Sequence, residues 1–465
     1  MKTLLPLLAA LSLTAALPKP RIKHLPVEGE LEISVEDVPG VRWTAVQYHL
    51  AGKSSVGTLY PSVDGVWRHR ADVAGSRSGK LKYTLIGQTN GEPVVTSGTV
   101  DTDSDDRGAV VVSPQERPRR GRTLVFRDDF NSLDTGAWEY EVSMYGGYNW
   151  EIQVYTNDPL NAFTRNGHLF LKPTLTADKF NESFLTTGVM DSTILNEAYN
   201  HSAHVFSLTS CFWSKAIWGK CTNEDRYGCH REGRYGLLPP VMSAKLKSRK
   251  TVRFGYVCAR ARIPQGDWIW PAIWMLPQSS HYGQWPRSGE IDLMESRGNS
   301  VARAPDGNDH GRNEVGSTMH WGPDAGQNKF YLTHGERDDG SFSTQMHDYC
   351  VDWTQDHISI TVDGHEVMRT GGNFWQKGGF GGSNPWAGGS HMAPFDQPFY
   401  LILNVAVGGT SGFFPDDWTY NSRKPWRDGS TKELEEFWAA RHEWQPSWQG
   451  DMVAMEVDWV EMYQY

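Results

Sequence analysis

The sequence predicts an all-β chain in two domains, on three observations. Up to about residue 100, β-prone runs (31–35, 42–49, 81–86 and 94–100) alternate with turn signals at Pro39-Gly40, Asp64-Gly65 and Asn90-Gly91. Residues 101–123 carry an acidic run, then prolines and a basic run with little aromatic content, which reads as a linker. From Leu124 to the end, short strands and glycine-rich loops continue. Only Thr431 to Arg441 reads as a helix, with Ser430 as its cap and Glu433 completing a capping box. At 465 residues the chain exceeds one ordinary domain.

Residues 1–16 place a lysine before an apolar run that ends in small residues at Ala16, the pattern of a secretory signal peptide and too short for a membrane anchor. The mature chain is therefore expected to be secreted. Residues 17–100 read as a small immunoglobulin-like β-sandwich, and Arg119-Arg120 in the linker offers a site to processing proteases. Of five cysteines, Cys211, Cys221 and Cys229 cluster while Cys258 and Cys350 stand apart, which predicts two disulfides and one remaining thiol with the pairing open. Zinc is the competing reading of the cluster, but gaps of 10 and 8 residues fit no common finger. Asn181-Glu-Ser and Asn200-His-Ser are glycosylation sequons.

The net charge of −10 argues against nucleic acid or an anionic membrane as the main partner. Twenty Trp and 18 Tyr exceed what a continuous core needs, and exposed flat rings suit stacking on the apolar faces of sugars.

The chemistry concentrates in SGEIDLMES, 288–296, where Glu290, Asp292 and Glu295 interrupt an apolar run. Alternate residues of a strand share a face, so Glu290 and Asp292 point together and Glu295 points away. A β-bulge at Leu293-Met294 absorbs one position and returns Glu295 to the same face. Crowded carboxylates raise one another's pKa, so one holds a proton while another stays ionised, the division of labour that glycoside hydrolysis uses. A solvated acidic strand edge or a hard-cation site is the alternative.

Upstream, Gly266 to Pro277 reads as a strand with Trp270, Ala272 and Trp274 on one face and Ile269, Ile273 and Met275 on the other. Trp285, five residues before Glu290, is placed to wall one end of a groove. His320, in GSTMHWGP, is positioned to hydrogen-bond Asp292 or Glu295 from a neighbouring strand. Asn149, Trp150, Glu151 and Gln153 give the polar and aromatic mix expected where hydroxyls are read.

SGEIDLMES, with WPAIWMLP before it and HWGP, LNVAVGG and VDWVEMY after it, resembles glycoside hydrolase family 16 from about Leu124 to Tyr465. It looks most like the invertebrate laminarinases and the related β-1,3-glucan-binding proteins. The resemblance implies a β-jelly-roll sandwich with an open concave cleft over 124–465, acting on or binding β-1,3-glucan as a monomer without a required cofactor. Position by position, it makes Glu290 the nucleophile, Asp292 the residue that orients it and Glu295 the general acid/base, with net retention. It suggests Asn149, Trp150, Trp270, Trp285 and His320 as substrate-binding residues. In bacterial relatives the position of Asp458 helps hold a structural calcium; one Asp does not make such a site.

Retaining carboxyl pairs sit about 5 to 5.5 Å apart, yet four strand steps separate the two Cα atoms by on the order of 13 Å, so the side chains must lean together. The six-residue bulged motif goes with enzymes active on β-1,3-glucan, and the five-residue form with mixed-linkage lichenases. The N-terminal domain faintly resembles a family 39 β-glucan-binding module through PGVRWTAVQYHL and DGVWRHR, with Trp43 and Trp67 as its only indoles. Two functions compete: a secreted endo-β-1,3-glucanase, and a noncatalytic β-1,3-glucan recognition protein of innate immunity. Binding relatives typically lack one or both catalytic Glu residues, whereas this chain keeps all three acids.

Overall fold

The computed structural model describes residues 122–191 and 220–465 throughout and, before them, the backbone of eight strands between Arg21 and Asp101. The chain divides into two units, Met1–Arg120 and Gly121–Tyr465. The signal peptide, most of the linker with Arg119-Arg120, Cys211 and the sequon at Asn200 lie outside the described residues.

In the first unit, Arg21–His24, Glu30–Glu36, Val66–Asp72 and Tyr60–Ser62 form one four-stranded antiparallel sheet in that order. Lys53–Thr58, Arg42–Leu50, Lys80–Gln88 and Pro93–Asp101 form a second. All four β-prone runs expected from the sequence are strands, and Asp64-Gly65 and Asn90-Gly91 fall between paired strands.

The second unit has two large sheets. One runs in the order Trp138–Tyr140, Lys245–Val252, Phe399–Val407, Ile269–Pro277, Glu290–Glu295, Glu314–His320, His334–Asp338. The other is built on Met455–Gln464 and Gly255–Arg262, which pair with each other, and extends through His347–Trp353, His357–Val362 and His365–Gly371. Their apolar faces meet in one core: Ile273, Met275, Ile291, Leu293, Met294 and Leu403 from the first sheet join Val257, Ala259, Val351, Ile360 and Val460 from the second. Each fully buried Leu, Ile, Val or Met contributes about 1.5–3 kcal/mol by leaving water. This is the mostly-β sandwich expected of the larger domain. No described helix is long and apolar enough to cross a membrane.

Among the described residues two disulfides form, Cys221–Cys229 and Cys258–Cys350, the second between directly opposed residues of neighbouring strands. The expected helix is shorter than predicted, Glu433–Ala439, followed by Arg441–Trp444. Ser430 does not cap it: Lys432 occupies that position, and the Ser430 hydroxyl, two residues further out, accepts from the Lys432 N–H at 3.1 Å and donates to Glu436 Oε2 at 2.7 Å. Asp458 lies 3.5 Å from Arg260 Nε and 3.7 Å from His168 Nε2. Nitrogen donors, the Arg260 guanidinium foremost, face it there, and this surrounding does not fit a calcium ion, which needs several oxygen ligands.

Candidate active site

The local sequence forces the acids onto one face. Gly289 enters the strand at a φ of +86°, and a Cβ there would sit 2.8 Å from the Phe395 ring, so the turn accepts only glycine. Trp274 then opposes Asp292 while Ala272 opposes Glu295, so two steps on one strand match three on the other. The same offset recurs against the strand on the far side, where Thr318 opposes Asp292 and Gly316 opposes Glu295. This is the expected bulge. Leu293 and Met294 are both wholly buried in the core, so burial of two successive apolar side chains drives the extra residue. On the neighbouring strand Ile269, Ile273 and Met275 are buried and Trp270 and Trp274 are half-buried on the acid face, as the alternation predicts.

Each Glu accepts a hydrogen bond from an indole. Trp285 Nε1 donates to Glu290 Oε2 at 2.8 Å, and Trp270 Nε1 donates to Glu295 Oε1 at 3.0 Å. Trp270 is backed by Phe413, whose ring stacks on it at 3.7 Å with planes 5° apart. Burial, reinforced by the charge of Asp292, pushes the Glu290 carboxyl up to about 8. Burial and then the charge of Glu295 drive Asp292 well above the ordinary carboxylate range, opposed by a hydrogen bond with Glu290.

His320 stands opposite Glu290 in the register. Its Nε2 is 3.3 Å from Asp292 Oδ2 and 3.9 Å from Glu290 Oε1, so its partners are Asp292 and Glu290 and not Glu295. Asn328 Nδ2 donates to His320 Nδ1 at 2.8 Å, which in the neutral ring leaves the proton on Nε2, facing the acids. Asp292 Oδ2 is buried without a well-aligned hydrogen bond, and His320 Nε2 is the donor closest to supplying one. Ligand atoms of Glu290, Asp292 and His320 converge within 4.8 Å, a spacing a divalent cation also accepts. The indole donor on Glu290 and the shared protons favour acid–base work over metal ligation.

Asn149 lies near Trp270 across Gly409, where an added Cβ would be 3.3 Å from the Asn149 carbonyl and 3.6 Å from the Trp270 ring. Its side chain accepts a hydrogen bond from Ser411 Oγ at 2.8 Å. Trp150 and Trp285 are exposed. Glu151 and Gln153, expected to read hydroxyls, instead bond each other at 2.7 Å in a network that reaches Tyr155 and Asn404. Asn404 also accepts from Trp274 Nε1 at 2.6 Å. The sequence reading missed Asn328, Phe413 and Asn404 as supports; only Asn404, inside LNVAVGG, lay in a stretch already singled out.

Residues 221–386 match the family model "Glycosyl hydrolases family 16". A beta-1,3-glucan-binding protein of Penaeus monodon is 42% identical over 363 residues, 73% of this chain and 90% of that protein. A glucan endo-1,3-beta-glucosidase of Cryptopygus antarcticus is 39% identical over 292 residues, 62% of this chain and 80% of that protein. Glucan endo-1,3-beta-glucosidase A1 of Niallia circulans is 29% identical over 345 residues, 71% of this chain but only 39% of that protein. On this similarity the chain belongs to glycosyl hydrolase family 16.

Proposed function

We propose that this protein is a secreted, retaining endo-β-1,3-glucanase. The observation that carries the reading is the bulged strand, which sets Glu290, Asp292 and Glu295 on one face with an indole N–H on each Glu. Glu290 attacks the anomeric carbon and expels the leaving oxygen, which Glu295 protonates; Glu295 then takes a proton from water as that water displaces Glu290. In the resting pair Glu290 holds the proton against the charge of Asp292, whose side chain is the more buried of the two, 3% against 16% exposed. Transfer of that proton to Asp292, which then donates a hydrogen bond back, leaves the nucleophile anionic and oriented. His320 steadies the far oxygen of Asp292. The indoles fix the two Glu carboxylates, and Trp270, Trp285, Trp150 and Asn149 offer stacking and polar contacts to the glucan. Family 16 glucanases need no cofactor.

A second reading, noncatalytic recognition of β-1,3-glucan, is favoured by the name of the Penaeus monodon relative. The two separate on one assay. Wild type is expected to release reducing oligosaccharides from laminarin, and Glu290→Gln to lose release while still binding; a wild type that binds laminarin and releases nothing between about pH 4 and 8 leaves recognition as the function. We also read the first unit as a glucan-binding module, which predicts that residues 17–122 alone sediment with insoluble β-1,3-glucan.

A further inference from the structure

The loop closed by Cys221–Cys229 has no place in the site described so far, yet strain and an unpaired donor concentrate on it. Arg226 and Tyr227, successive residues within it, have φ of +50° and +60°. Tyr148 and Trp150, on the segment they face, have φ of +62° and +54°. Non-glycine residues in this region cost of order 1–3 kcal/mol each and persist where surrounding structure holds them, often at ligand sites.

What holds them is visible. The disulfide closes the loop, and the Gly228 carbonyl accepts from the Met144 N–H at 2.9 Å. Arg231 Nη2 donates to the carbonyls of Met144 and Arg226 at 2.6 and 3.1 Å, tying loop to segment. The Tyr148 hydroxyl donates to Asp225.

The result is a guanidinium laid against two rings, its Cζ 4.3 Å from the centre of Trp150 and 5.1 Å from that of Tyr148. Its Nη1 is buried with no hydrogen-bond partner among the described residues. A charged donor without an acceptor is expensive, and a shift of this side chain that brings the donor to a ligand hydroxyl removes the cost. Trp150 remains 45% exposed and Tyr227 82% exposed, so aromatic surface stays open beside the donor. The patch adjoins the acids: Asn149, between Tyr148 and Trp150, neighbours Trp270 across Gly409, and Trp270 holds Glu295.

We propose that the disulfide-closed loop 221–229 forms a glycan-binding rim of the groove, in which Arg226 donates to sugar hydroxyls while Trp150 and Tyr227 stack on the same chain. The ligand class, a neutral β-glucan long enough to pass from the acids to this rim, rests on the proposed glucan activity. A neutral polyol suits the patch because a guanidinium spread over indole and phenol presents flat apolar surface with donors at its edge.

The test compares Arg226→Ala and Tyr227→Ala with wild type on laminarin and on a laminari-trisaccharide too short to reach the rim. The expected result is a KM on laminarin raised about tenfold, kcat within about twofold and trisaccharide kinetics unchanged. Migration in laminarin-containing native gels is read in parallel, where both variants should be retarded less than wild type; this readout needs no turnover. Unchanged KM and unchanged retardation overturn the proposal, as does an equal loss on both substrates, which would mean the loop only braces the fold. A wild type retarded by laminarin without cleaving it overturns the enzymatic reading and leaves the rim to be judged by the gel. If Arg226→Ala melts at a lower temperature than wild type, Arg226→Gln, which keeps the stem and a planar donor, takes its place with the same expected direction.

Discussion

Glu290 and Asp292 are hydrogen-bonded carboxyls in a buried wall, and Glu290 keeps its proton up to about pH 8 because burial and the neighbouring charge oppose ionisation. Such a pair is poorly suited to stability and well suited to moving a proton, and several outcomes follow from that conflict.

Glu290→Gln is expected to stabilise the protein near pH 8. An unfolded Glu releases its proton near 4.5, whereas folded Glu290 keeps it to about 8, so the folded state binds more protons across that window and stability falls as pH rises through it. Gln carries no such penalty. At about 1.4 kcal/mol per pH unit, discounted for partial exposure, the gain is on the order of 1–3 kcal/mol at pH 8 and vanishes near pH 4.5. Melting temperatures of both proteins at the two pH values check it; a variant less stable than wild type at pH 8 contradicts it.

Asp292→Asn should shift the acidic limb of the kcat/KM profile to lower pH. The charge of Asp292 helps hold the Glu290 proton, so neutralising it lets Glu290 ionise earlier. The rate at the optimum should also fall by at least tenfold, since Asn donates a weaker bond to the carboxylate than a protonated Asp. An unmoved limb would mean that Glu290 is not the group being titrated.

Trp285→Phe keeps a ring and deletes the N–H that favours ionised Glu290. The acidic limb should move to higher pH, opposite to Asp292→Asn. Trp270→Phe, which removes the donor on Glu295, should leave that limb in place and lower kcat.

Chelation should not matter to folding. Asp458 faces the Arg260 guanidinium and the His168 ring, so EDTA is expected to leave the melting temperature unchanged, whereas Asp458→Ala should cost about 1 kcal/mol by stripping a partner from the partly buried Arg260. A fall in melting temperature with EDTA, reversed by calcium, would contradict the ion-pair assignment.

Legibility in the sequence followed physical range. The bulge could be read because strand parity is local: three acids at spacings of two and three cannot share a face without an extra residue. The faces of the Trp270 strand were legible for the same reason. His320 was placed beside the acids, but its preference for Asp292 over Glu295 depends on register between strands, which alternation alone does not set. The supports from Asn328 and Phe413 come from loops, where no periodicity points to a partner. Ser430 failed as a cap because the helix begins only at Glu433, so its hydroxyl accepts from the Lys432 N–H before the first turn. The rim at Arg226 was invisible for a similar reason, since left-handed backbone at an arginine and a tyrosine has no signature in residue type.

The central claim is that Glu290 forms a covalent bond to sugar, and trapping measures it directly. Wild-type protein incubated with an activated 2-deoxy-2-fluoro laminaribioside is expected to gain the mass of one glycosyl group, located by peptide mapping on the peptide that contains Glu290. An adduct on another residue, or hydrolysis of laminarin with the anomeric configuration inverted, would contradict the assignment.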